Sequence, residues 1–151
     1  MKSVGLFVFL FLLAGCSPLM LKPADFSWPI ESELKVNSNG MVHEDRYSIS
    51  FNVKPLFYEE TKDSTSFANR TIRLIRDQNG FYFITAQHFK NVYVFSQNDG
   101  SLSLEKTIPV SKDGLSSSVA FNQRAPYVEL LNGKDKPIKL TKDGIQEEGK
   151  K

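Results

Sequence analysis

Six of the nine glycines in this 151-residue chain follow an Asn or Asp, in Asn39-Gly40, Asn79-Gly80, Asp99-Gly100, Asp113-Gly114, Asn132-Gly133 and Asp143-Gly144. Glycine takes positive φ without steric cost and Asn or Asp tolerates the left-handed region, so each pair marks a tight turn. These turns separate runs that are β-like. Ile49, Phe51 and Val53 alternate with Ser48, Ser50 and Asn52, the period of a half-buried strand over about Arg46 to Val53. Phe81-Tyr82-Phe83-Ile84 is apolar at successive positions, which suits a central strand covered on both faces. No window sets apolar residues at three- and four-residue spacing between helix caps, so no helix is expected.

Two hairpins can be registered by arithmetic. A two-residue loop at Asn79-Gly80 sets Gln78 opposite Phe81 and Ile75 opposite Ile84. A two-residue loop at Asp99-Gly100 sets Gln97 opposite Leu102, Phe95 opposite Leu104 and Tyr93 opposite Lys106, with apolar faces matched. Lys106 to Leu115 also echoes Lys136 to Ile145 at an offset of 30 residues. Two copies of strand, Ser/Thr-Lys-Asp-Gly, strand are better explained by a common hairpin solution than by a repeat. The expectation is an all-β chain, an antiparallel meander forming a small barrel or sandwich.

Composition narrows the class. The chain has a single Cys, 24% charged residues and a formal net charge of +2. One thiol forms no internal disulfide, which excludes a stapled scaffold. A balance so near zero supplies no field for polyanions, so nucleic acid is not an expected partner.

The cysteine lies after a short positive start, Met1-Lys2-Ser3, and a ten-residue apolar run, Val4 to Leu13. Ten residues of helix span about 15 Å, half of a bilayer's hydrocarbon core, so the run suits an export signal rather than a membrane span. Leu13-Ala14-Gly15-Cys16 resembles the lipobox of bacterial lipoproteins. That resemblance implies cleavage between Gly15 and Cys16, lipidation of Cys16, and retention by two or more acyl chains, since one alone anchors marginally. It also implies residence in the cell envelope. Ser17, not Asp, after the cysteine suits the periplasmic side of an outer membrane, and a Gram-positive source would place the anchor on the outer face of the plasma membrane.

The expected organisation is a signal peptide over 1–15, lipidated Cys and tether over 16–24, one β domain over 25–146 and a polar tail over 147–151. Processing leaves 136 residues, enough to bury roughly two thirds of the unfolded surface without disulfide or metal.

Chemistry-bearing motifs are sparse. His43-Glu44-Asp45 is the one cluster that could serve a metal or acid–base site, but on a strand only His43 and Asp45 share a side, which is thin for a metal site. It reads as a solvated edge before the strand at Tyr47. His88 falls where one strand ends and the next begins, the place of a turn histidine. Nucleophile elbows, phosphate loops, paired cysteines and helical zinc motifs are absent, so no catalytic, cofactor or metal site is expected. Arg70, Arg73 and Arg76 recur every third residue, a spacing that alternates faces on a strand and makes no basic stripe. Trp28, near the tether, and Phe67, in the polar stretch Glu59 to Asn69, are the candidate partner-binding residues. The expected function is a lipid-anchored, non-catalytic binding, assembly or scaffold module with an envelope protein or glycan as partner. A hydrolase using carboxylate and His residues is the alternative. A lysozyme-inhibitor-like lipoprotein is similar in size, anchor and β content, but that family typically carries a disulfide this chain cannot make.

Overall fold

A computed structural model describes residues 30–98 and 101–146. Eleven strands and one helix follow in order: β1 (Ser32–Lys35), β2 (Met41–Glu44), β3 (Ile49–Asn52), α1 (Lys54–Thr61), β4 (Thr71–Arg76), β5 (Tyr82–Ala86), β6 (Asn91–Asn98), β7 (Ser101–Pro109), β8 (Val119–Arg124), β9 (Tyr127–Asn132), β10 (Ile138–Thr141) and β11 (Gly144–Ile145). They form a five-stranded sheet in the order β1-β4-β5-β6-β7, a four-stranded sheet in the order β11-β10-β9-β8, and the two-stranded pair β2-β3. Every pairing is antiparallel, and no sheet closes on itself. The protein is all-β and sandwich-like, and of the two expected architectures the barrel is not the one formed. Strands β4 to β7 and β8 to β11 are meanders, whereas β1 crosses over the β2–β3 pair to reach β4.

The five-stranded sheet is the middle layer. On one face Phe83, Val94, Ile108, Phe121, Leu130 and Leu140 pack it against the four-stranded sheet. On the other, Leu34, Val42, Phe57, Leu74, Ile84 and Tyr93 pack it against the β2–β3 pair and α1. Double coverage explains why all five residues of β5 are buried, as the unbroken apolar run from Phe81 predicts. Thr85, the polar member, is satisfied by donating from Oγ1 to the Asn91 carbonyl at 2.9 Å.

The strand predicted from Arg46 begins later, at Ile49, because Asp45 to Ser48 is a turn with Ser48 at φ 51°. Ile49 and Val53 are nonetheless buried and Ser50 and Asn52 exposed, as the alternation requires. The first hairpin is shifted by one residue. Ile75 faces Phe83 and Arg76 faces Tyr82, so the loop holds three residues rather than two. Asp77 causes the shift: its Oδ1 accepts the Asn79 N–H at 2.9 Å and the Phe81 N–H at 2.8 Å. A carboxylate spending itself on two loop amides favours the longer turn over the two-residue one. In the second hairpin Gln97 faces Leu102 and Phe95 faces Leu104 as expected. A bulge between Val94 and Phe95 then places Tyr93 opposite Thr107 instead of Lys106.

The 30-residue echo is not a structural repeat. Asp143-Gly144 joins β10 to β11, whereas Asp113-Gly114 lies in the irregular passage from β7 to β8, with Gly114 at φ 94°. A Cβ at Gly114 would stand 2.8 Å from the His88 carbonyl oxygen, so close approach as well as backbone sign requires glycine there.

Helix α1 is an element the periodicity does not announce. Pro55 sits in its first turn, where a missing N–H costs nothing, and Lys62 ends it at φ 57° with its N–H on the Tyr58 carbonyl at 2.8 Å. In eight residues only Leu56 and Phe57 point fully inward, too few to establish a helical period. Tertiary contacts hold it. Phe57 meets Phe89 edge to face with centroids 5.0 Å apart. Glu60 Oε1 accepts the Asn91 side-chain amide at 2.8 Å, the Asn91 N–H at 3.2 Å and the Tyr93 hydroxyl at 2.9 Å, and Oε2 accepts the Lys90 N–H at 2.7 Å. Burial and the Glu60 carboxylate together push the Tyr93 phenol well above its ordinary range.

Candidate functional site: an apolar groove and the hairpin beside it

The β2–β3 pair and α1 do not cover the whole face of the middle sheet. Toward β7 an open groove of about 820 Å³ runs between them and the sheet's edge. Phe51, Pro55, Leu56, Phe95, Leu102 and Leu104 make it apolar. Ser50, Asn52, Glu59 and Thr107 add polar groups. Leu104 is 55% exposed, a large apolar side chain left in water. Beside it β7 is the last strand of its sheet, so no described strand pairs with its outer edge. Exposed Lys106, terminal Pro109 and the bulge limit edge-to-edge pairing toward the C-terminal half of β7, leaving Ser101 to Leu104 the more accessible part.

On the outward face of the neighbouring pair, β2 and β3 set His43 directly opposite Ser50. The Ser50 hydroxyl meets His43 Nδ1 at 2.7 Å, and His43 Nε2 meets Asp45 Oδ1 at 3.1 Å. His43 is more than half exposed and Asp45 almost wholly so. Glu44 points the other way: it is buried, and Arg46 Nε donates to its Oε1 at 2.7 Å. The solvated edge expected for 43–45 therefore holds for His43 and Asp45 but not for Glu44, and His43 and Glu44 lie inside a strand rather than before one. The additional member is Ser50, which becomes visible only once Asp45 to Ser48 is seen to reverse the chain.

A second polar feature ties the N-terminal end of the described chain to both sheets. Glu31 accepts from Arg73 Nη1 at 2.8 Å and, through its other oxygen, from the Phe121 N–H at 2.8 Å. Its carboxyl is raised above the ordinary range because burial outweighs those two interactions. Arg46 donates to the Ile30 carbonyl at 3.0 Å and also to the Ser32 hydroxyl. Arg73 and Arg76 lie on opposite faces of β4, Arg73 beside the Glu31 and Glu33 carboxylates and Arg76 over the Tyr47 and Tyr82 rings, so there is no single basic stripe.

Of the residues singled out from sequence, Gly15, Cys16 and Trp28 lie outside the described residues. Phe67 is not a presented ring: it is 8% exposed, belongs to the core beneath α1, and carries Lys54 Nζ over its face at 5.0 Å. The surrounding stretch is also not one loop, since Glu59 to Thr61 finish α1 and Glu60 is committed to the four bonds above. His88 is a turn residue as expected, at φ 69°, its N–H on the Leu115 carbonyl at 2.8 Å. Among the described residues no group of three or more His, Cys, Asp or Glu could hold a metal ion, and no helix is long and apolar enough to cross a membrane. No protein-family model, curated protein or solved structure matches this chain.

Proposed function

We propose that the protein is a lipid-anchored module of the cell envelope that binds an envelope protein or glycan through the groove between α1, β3 and the β7 edge. The anchor rests on Leu13-Ala14-Gly15-Cys16 and its position after the apolar run. The observation that carries the binding role is the groove, where apolar side chains stand in water beside an open strand edge. That pairing suits an extended protein segment, whose main chain would add to β7 and whose alternate side chains would enter the groove. A protein is thus favoured over a glycan.

Two arms test the proposal. Cys16→Ser is expected to release the protein from the membrane fraction or leave it as uncleaved precursor, and a mutant that fractionates and migrates like the wild type rejects the anchor. A photo-crosslinking residue at Leu104 is expected to give a discrete adduct in intact cells, while the same residue at Ile145, similarly exposed on β11, gives none. Equal adducts from both positions, or none from either, reject the groove as the binding surface.

A further inference from the structure

The hydrogen-bonded chain on the β2–β3 pair has a directionality that a solvated cross-strand contact does not need. The Asp45 carboxylate is an acceptor only, so the proton between it and His43 resides on Nε2. In the neutral imidazole Nδ1 is then the acceptor, and the 2.7 Å contact is the Ser50 hydroxyl donating to it. The two ring nitrogens are exchanged relative to the usual serine triad, where Nδ1–H faces the carboxylate and Nε2 the serine, but the division of roles is the same: a carboxylate holds one N–H and leaves the other nitrogen free to withdraw the serine proton. Asn52 lies two residues along the same outward face of β3, about 7 Å from Ser50 along the strand. Its Oδ1 accepts the Lys54 N–H at 2.9 Å, which fixes the amide and leaves Nδ2 with no bond to another described residue. Ser50 and Asn52 both line the groove, which supplies the apolar surface.

We propose that Ser50 is a nucleophile activated by His43, and that it takes an acyl group from esters whose acyl chain lies in the groove. The Ser50 Oγ–H proton passes to His43 Nδ1 as Oγ bonds to the ester carbonyl carbon, giving the tetrahedral oxyanion. The carbon–alkoxy bond then breaks, and the leaving alcohol takes the proton from Nδ1, leaving acyl-Ser50. Water hydrolyses that ester by the same transfers: its proton goes to His43, its oxygen bonds to the acyl carbon, and Ser50 departs and recovers the proton. The products are a carboxylic acid and an alcohol. Asp45 and His43 are open to solvent, so the rate expected is that of a slow esterase. The inference shares the groove with the binding role but goes beyond it, and each can fail without the other.

The test uses the full chain carrying Cys16→Ser, so that no thiol competes, with p-nitrophenyl octanoate and p-nitrophenyl acetate as probes. Octanoate is expected to react about tenfold faster than acetate, because part of the longer chain is removed from water in the groove. Ser50→Ala and His43→Gln are each expected to lower the octanoate rate by about 10²-fold, the low end of what a positioned base contributes. Asp45→Asn is expected to lower it less. Labelling with a fluorophosphonate, followed by peptide mass mapping, is expected to place the adduct on Ser50 in the parent protein and to give none in Ser50→Ala. An unchanged rate in Ser50→Ala, or adducts confined to lysines or other serines, overturns the proposal. Octanoate that binds without acylating Ser50 also overturns it, while leaving the groove's binding role standing.

Discussion

The two faces of the middle sheet are built from the same strands and finished differently. One is covered by the four-stranded sheet, where Phe83, Val94, Leu130 and Leu140 are at most 1% exposed. The other is roofed by a four-residue hairpin pair and an eight-residue helix, which stop short of β7 and leave Phe95, Leu102 and Leu104 partly or largely in water. Strands alone cannot account for the difference, because β5 and β6 feed both faces. The size of the covering layer does: a full sheet closes its face, and a partial roof leaves apolar surface uncovered, the surface proposed above as the binding groove.

If that division is right, damage should follow it. The largest effect is expected on the closed face: Phe83→Ala should cost about 3–5 kcal/mol, because the ring is fully buried and neighbours on both sheets limit collapse of the cavity, and denaturant titration measures it. On the roofed face the helix is held by one carboxylate as well as by apolar burial. Glu60→Ala should cost about 2–3 kcal/mol by leaving the Lys90 and Asn91 amides and the Tyr93 hydroxyl without their acceptor. Hydrogen exchange should localise that loss to α1 and the start of β6, with Phe121 and Leu130 unaffected. Uniform acceleration across both faces would show that the faces are one cooperative unit and sink the division.

The smallest effect belongs to the junction between the sheets. The folded pKa of Glu31 lies above its unfolded value, so this residue favours the folded state most in acid, and that contribution is lost as pH rises through the raised pKa. Glu31→Gln removes the titration. Relative to the variant, wild-type stability should therefore improve as pH falls from neutral toward the ordinary carboxylate value, and a difference independent of pH would contradict the raised pKa.

How much of this could be read in the sequence depends on the range of the interactions responsible. The run from Phe81 and the alternation at Ile49, Phe51 and Val53 are local patterns imposed by burial on two faces or one, and they predict the buried strand β5 and the half-buried β3 directly. Gln97 facing Leu102 followed from a turn dipeptide. The Asn79-Gly80 hairpin slipped because Asp77, two residues before the dipeptide, offered its carboxylate to the loop, a competitor that dipeptide statistics do not weigh. Helix α1 was hidden because Phe57 and Glu60 find their partners at Phe89 to Tyr93, some 30 residues away. Ser50 was missed beside His43 for a related reason: seven residues separate them, and only the reversal at Asp45 to Ser48 makes them neighbours. Phe67, a lone aromatic in a polar stretch, looks exposed in the sequence until the layer above it is known.

The anchorage of Ile30, Glu31 and Ser32 also has a mechanical meaning. Arg46 grips the Ile30 carbonyl, and Glu31 bridges Arg73 of β4 to the Phe121 amide of β8. A pull on the chain preceding Ile30 is therefore not borne by the β1 ladder alone, which could otherwise unzip one hydrogen bond at a time. The load divides at once between two sheets and must break several charged contacts together, so force applied at that end is resisted by both layers rather than by the edge strand alone.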